Sequence, residues 1–272
     1  MMKVFSYGGG VQSTAALVLA AQGKIDYRTF LFCNVGEDSE NQATLAFVNS
    51  YAKPFAAFHG LELQELRKTK RNKETKQQER ETVYSRIMYG STRSIGIPVR
   101  MSNGAPGRRQ CTMDFKIRLV DRWLREHGAK KEGAIVGLGI SLDEVGRMKA
   151  NMDKDTMAWK ANAFPLIDLR LDRMACQNII RDAGLPVPPK SSCYFCPFHS
   201  PRRWQEMREQ EPGQFTKAVE LERFINKRRE ALNRDHVYFT RFAKPLDKVT
   251  TAEFSQAYLF GDEDCESGYC MV

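Results

Sequence analysis

The feature that most limits what this chain can fold into lies in its first twenty-three residues. Lys3 to Ser6 reads as a buried strand that runs straight into Tyr7-Gly8-Gly9-Gly10. Val11 to Gln22 then supplies helix formers, and Gly23 stands where a C-terminal glycine stops a helix. Further segments keep the alternation going: a strand over Thr29 to Val35, a polar loop over Gly36 to Asn41, a helix over Gln42 to Ala52 and a strand over Leu61 to Leu66. Phe115 to Glu126 and Leu171 to Asp182 read as helices, and the apolar Gly133 to Ile140 run as a later strand. Strands alternating with helices from the first residue predict an α/β fold, doubly wound, with a mostly parallel Rossmann-like sheet. Pro186, Pro188 and Pro189 predict a boundary. It separates a nucleotide-binding type of domain over residues 1–190 from a smaller, mainly helical, cysteine-containing part with an acidic tail over residues 191–272.

Charge narrows the partners. Lys and Arg number 42 against 33 acidic residues, a net +9 that favours an anionic partner, nucleotide or nucleic acid. Arg67 to Arg80 holds seven basic residues against two glutamates, and Arg93, Arg100, Arg108 and Arg109 extend the charge. The stretch reads as a solvated helix face or loop, or as a docking surface for tRNA or DNA. The longest apolar run, Ala15 to Ala21, falls far short of the ~20 residues that span a bilayer, and no signal-peptide pattern opens the chain. A cytoplasmic location with no membrane partner is expected.

Three glycines between a strand and a helix have the arrangement of a phosphate cradle, or of a tight turn that holds no ligand. The glycines admit an anion close to the backbone, and the helix N-terminus offers free N–H groups and a favourable dipole end. No Gly-Lys-Ser/Thr follows, so this is not a Walker A loop, and Gly8-Gly9-Gly10 lacks the Gly-x-Gly-x-x-Gly spacing of dinucleotide folds.

Ser6-Tyr7-Gly8-Gly9-Gly10-Val11-Gln12-Ser13-Thr14 resembles the PP-loop of N-type ATP pyrophosphatases, in their phosphoadenosine-phosphosulfate (PAPS) reductase-like branch, with Gln12 in the family's acidic position. Four further segments resemble that branch in the expected order: Asn34-Val35-Gly36-Glu37, Cys111 to Ile117, Gly139 to Arg147 and Pro165-Leu166-Ile167-Asp168. The resemblance covers about residues 1–200. It implies an adenine nucleotide alpha hydrolase type of fold that takes ATP with Mg2+. It places the α-phosphate over Ser6, Tyr7, Gly8, Gly9, Gly10, Gln12, Ser13 and Thr14. Asn34 and Gly139 would stand near the nucleotide, and Arg147 would neutralise phosphate charge.

Seven cysteines, an odd number, give no disulfide logic. Cys193-Tyr194-Phe195-Cys196 has the spacing to chelate a metal, and Cys265 and Cys270 form a second pair in the acidic tail. The resemblance implies that Cys111 joins Cys193 and Cys196 on a [4Fe–4S] cluster. Cys265 or Cys270 could complete that set, or Cys270 could act as a tail nucleophile. Zn2+ on Cys193, Cys196, Cys265 and Cys270 is the alternative. Cys33 and Cys176 read as ordinary buried residues.

The expected activity is ATP-dependent sulfur transfer, forming AMP and pyrophosphate, onto a nucleic acid or nucleotide. A partner such as a cysteine desulfurase would supply sulfur. The alternatives are a sulfonucleotide reductase acting on PAPS or its unphosphorylated analogue, and a zinc-stabilised nucleotide or nucleic-acid binding module without turnover.

Overall fold

The structure is a computed structural model that describes residues 1–72, 74–90, 95–152 and 158–259. Its chain forms two compact units that do not follow the sequence in order. Among the described residues, the first joins Met1–Thr82 to Asp114–Ser192, and the second joins Val83–Met113 to residues 193–259.

The first unit is built on a parallel sheet of β1 (Met2–Tyr7), β2 (Thr29–Asn34), β3 (Glu62–Arg67), β6 (Ala134–Leu138) and β7 (Lys160–Ala163), in the order β3-β2-β1-β6-β7. β1 lies at the centre, with Val4 opposite Thr29 of β2 on one side and Val136 of β6 on the other. The period-two alternation of the strands divides two cores. Phe5, Tyr7, Phe30 and Phe32 face one side and pack with Ala16, Leu17, Cys176 and Ile180. Val4, Leu31 and Cys33 face the other and pack with Leu119, Val120, Trp123 and Leu124. Both faces of β1 and β2 are therefore dry, as a sheet covered by helices on both sides requires.

The helix after the glycines, α1 (Val11–Ala21), is buried from Ser13 through Ala20, so nearly its whole circumference lies inside. Gly23, at φ +70°, ends it: Gly23 N–H donates to Ala20 O and Lys24 N–H to Leu19 O.

The basic stretch over Arg67–Arg80 is neither a helix face nor an irregular loop. It holds an antiparallel hairpin, β4 (Thr69–Arg71) with β5 (Gln78–Arg80), fully exposed. The Asn72 side chain turns it by accepting from Glu74 N–H and Thr75 N–H at 2.8 and 3.1 Å. The helix expected from Phe115 begins as a π turn over Met113–Ile117 and becomes α-helical over Arg118–Glu126.

In the second unit, helices Pro201–Gln210 and Pro212–Glu230 enclose Trp204, Met207, Leu221, Ile225, Phe239 and Phe254. Ser200 caps the first of these by accepting from Arg203 N–H at 3.1 Å. Arg100, Arg108 and Arg109 belong to this unit, so the basic stretch is split between the two bodies. Among the described residues, no helix is long and apolar enough to cross a membrane.

Candidate functional site

The sheet order turns back on itself beside β1: β2 and β3 extend to one side, and β6 and β7 to the other. In open α/β sheets, ligands bind at the carboxyl ends of the strands where the order reverses. Here those ends carry Gly8-Gly9-Gly10 after β1 and Gly139-Ile140-Ser141 after β6.

The loop is tightly seated. Gly9 has φ +75°, and a Cβ there would stand 2.9 Å from Thr44 Cγ2. The Ser191 hydroxyl donates to Gly8 O. Gly10 precedes α1 with no side chain to cap it, and the first turn holds no acidic residue. The first-turn amides therefore meet neither a side-chain cap nor a carboxylate of their own turn, which suits an anion.

The β6 side closes on the same place. A Cβ on Gly139 would lie 3.1 Å from Ser13 N, so only glycine lets this strand end pass the start of α1 without displacement. Gln12 Nε2 donates to the buried Ser141 hydroxyl at 3.3 Å, tying the two loops together. Gln12 uses its Nε2 in this bond, and its neutral amide brings no negative charge to the position that is acidic in the resembling family.

Several expected side chains prove to be internal. Tyr7 is buried, its hydroxyl pairs with Thr14 Oγ1 at 3.0 Å, and burial pushes its pKa up. Ser13 Oγ donates to Gly10 O at 3.1 Å. Tyr7, Ser13 and Thr14 thus brace the loop with their side chains, which leaves contact with a ligand to the backbone. Asn34 has a similar fate. Its amide donates to Glu65 at 2.8 Å and Glu37 at 3.4 Å, and its Oδ1 accepts from Gly36 N–H at 2.8 Å. Arg67 binds both carboxylates, and the Arg67 hydrogen bond holds Glu37 down to about 2. Asn34 orders the β2 loop. Arg147 is buried in an ion pair with Glu144 at 2.7 Å. Burial raises the Glu144 pKa and the Arg147 charge opposes that rise.

Residues outside the sequence reading also belong here. Thr44 packs against Gly9, and Ser191 reaches Gly8 across 183 positions with no local signal. In the loop after β2, Glu40 is 2% exposed, its Oε1 has no hydrogen-bond partner among the described residues, and burial raises its pKa against the opposing charge of Lys116. A charged residue inside a polar loop gave no sign of burial.

The cysteines expected to hold a metal fall in one unit. Cys111, Cys193 and Cys196 all lie in the second unit, none in a disulfide. Cys196 N–H donates to Cys193 O at 3.1 Å, and the buried His199 binds Cys193 O at 2.9 Å while its ring meets Trp204 edge to face. Among the described residues, no three of His, Cys, Asp and Glu stand together as a metal site. Cys265 and Cys270, including the tail nucleophile and the zinc set that needs them, lie outside the described residues. Cys33 and Cys176 are buried, and burial pushes both thiols up to about 12, far from reactivity. Compared with family models, curated proteins and solved structures, the chain gives no match.

Proposed function

We propose that this chain is an ATP-dependent enzyme of the adenine nucleotide alpha hydrolase type that forms AMP and pyrophosphate while replacing an acceptor oxygen with sulfur. One observation carries the reading: an uncapped helix N-terminus preceded by three glycines stands at the point where the sheet order reverses. The loop's amides and the positive end of α1 would hold the α-phosphate and stabilise negative charge as an acceptor oxygen attacks it. The bond from the α-phosphorus to its bridging oxygen breaks, pyrophosphate leaves, and the acceptor carries AMP. Adenylation has turned a poor oxygen leaving group into a good one, so the outer sulfur of a persulfide donor attacks the activated carbon and AMP leaves. A second thiol then cleaves the resulting disulfide, which frees the thiolated acceptor and leaves the donor sulfur in a disulfide with that thiol. Magnesium would arrive on the triphosphate, given the neutral Gln12.

The sulfur half draws on the resemblance and on the thiols of the second unit. No step passes through an iron–sulfur cluster, and the sulfur is assigned to a separate persulfide donor such as a cysteine desulfurase. The basic residues of both units favour a nucleic acid as acceptor.

The test uses ATP labelled at the α-phosphate, with bulk tRNA or DNA as acceptor and a persulfide donor with excess thiol as the sulfur source. The reading expects labelled AMP and pyrophosphate in equal amounts, and loss of ATP binding in Gly9→Val. Formation of ADP and phosphate, or ATP affinity unchanged in Gly9→Val, overturns it.

A further inference from the structure

Helix Pro212–Glu230 ends in a turn with unusual occupants. Asn233 N–H donates to Glu230 O at 2.9 Å and Arg234 N–H to Arg229 O at 3.0 Å, with Asn233 at φ +49°. A left-handed residue enclosed by these two bonds defines a Schellman ending. That ending folds the side chain just past the helix back over the last turn, and the two residues that meet there are ordinarily apolar. Here both are arginine.

The local rule is broken at some expense. Arg229 is half-buried, and its Nε donates to Asp235 O, which fixes the plane of the guanidinium. Burial and the neighbouring Arg234 charge lower its pKa, and the Asp235 carboxylate offsets part of that. A like-charged pair where an apolar contact would stabilise the helix end is the kind of local conflict found at functional sites.

A third cation joins from another segment. Arg108, Arg229 and Arg234 line one open cavity of 360 Å3, whose remaining wall includes Ile95, Ile97 and Val99. No acidic side chain lines it among the described residues. The apolar wall is held in place by Val99 N–H to Ile97 O at 2.9 Å and Gly107 N–H to Val99 O at 2.8 Å. Guanidinium forks match phosphate oxygens in pairs, and three positive charges suit a dianion. The volume lies in the range of small-molecule sites and exceeds what a bare phosphate fills.

We propose that this cavity binds the phosphate ester of a nucleotide unit, with the three arginines on the phosphate and the Ile95, Ile97 and Val99 wall against its organic part. The site is independent of the nucleotide reading given above, since none of its residues belongs to the glycine-loop unit.

The experiment titrates the full chain without ATP, which is itself a nucleotide phosphate ester and would compete for the cavity; the arginine variants separate this site from the glycine loop. The probes are thymidine 5′-monophosphate and a 5′-phosphorylated octathymidylate labelled at its 3′ end. Arg234→Leu should weaken binding about tenfold or more, the scale of a charged hydrogen bond. It should also raise the thermal midpoint, because the apolar contact of the helix end is restored. Arg108→Ala should weaken binding similarly. Competition by the mononucleotide supports a single nucleotide as occupant, and arginine-dependent binding of the octamer alone supports a strand end. Absence of binding by either probe, affinity unchanged in both variants, or a lowered thermal midpoint in Arg234→Leu overturns the proposal.

Discussion

Replacing Gly9 by alanine attacks the packing of the phosphate loop with a single methyl group. At φ +75° an L-residue costs about 1–2 kcal/mol more than glycine. The added Cβ would also stand 2.9 Å from Thr44 Cγ2, on a fully buried, β-branched side chain with little rotamer freedom to escape. Overpacking of that kind costs about 1–3 kcal/mol. The sum, about 2–5 kcal/mol, is a large part of the stability of an ordinary domain. Urea denaturation with a constant slope would measure it. Thr44→Ser removes the opposing methyl and separates the two contributions. In the double variant, the collision should vanish and the cost of the backbone conformation should stay, giving partial recovery beyond additivity. A loss below about 1 kcal/mol, complete recovery, or strict additivity would each refute the reasoning.

Other consequences follow from buried charge. Glu222 is 1% exposed and accepts from Phe239 N–H and Leu246 N–H, both at 2.6 Å; burial pushes it up to about 7 despite those bonds. Its folded pKa exceeds the unfolded one, so stability is greatest below pH about 4.5 and falls as pH rises through about 7, by about 3 kcal/mol in all. Denaturation at a series of pH values would show this fall in the wild type, and Glu222→Gln should remove it while costing about 1–3 kcal/mol for an amide N–H left unmatched. Lys160 Nζ meets Asp121 at 2.9 Å with both side chains largely buried, fastening the edge strand β7 to helix Arg118–Glu126. Lys160→Ala should cost about 3–5 kcal/mol by stranding the carboxylate, and Lys160→Ala with Asp121→Leu should cost much less. Gly139→Ala pushes on Ser13 N, so titration calorimetry should show a larger loss in ATP affinity than denaturation shows in stability.

What the linear sequence reveals here depends on how local the cause is. β1, its three glycines and α1 are legible because strand pattern, turn residues and helix stop lie within twenty-three consecutive positions. β7, Lys-Ala-Asn-Ala, alternates polar residues with alanines, but four residues without a β-branched or aromatic side chain make a weak strand signal; β6 pairs with it and Asp121 holds Lys160. The β4–β5 hairpin hid in a charge run, and its one local clue was Asn72, whose side chain makes the turn. Asn34 looked like a ligand residue because its motif is local, whereas Glu65, the partner that occupies it, comes from another strand. The cysteine spacing was equally local. Chelation, however, needs a third ligand brought close by tertiary structure, and among the described residues none arrives. The arginine pair at the end of helix Pro212–Glu230 escaped notice for the opposite reason: a Schellman ending closed by Asn233 carries no glycine signal.

The central claim is that the glycine loop at the reversal of the sheet order is the place where ATP phosphates sit. Backbone amide resonances of isotope-labelled protein, followed through an ATP titration, test it residue by residue. The account predicts the largest shifts at Gly8, Gly9, Gly10, Gln12 and Ser13, with Gly139 moving alongside them. Saturable shifts concentrated elsewhere, with these six amides unmoved, would contradict it.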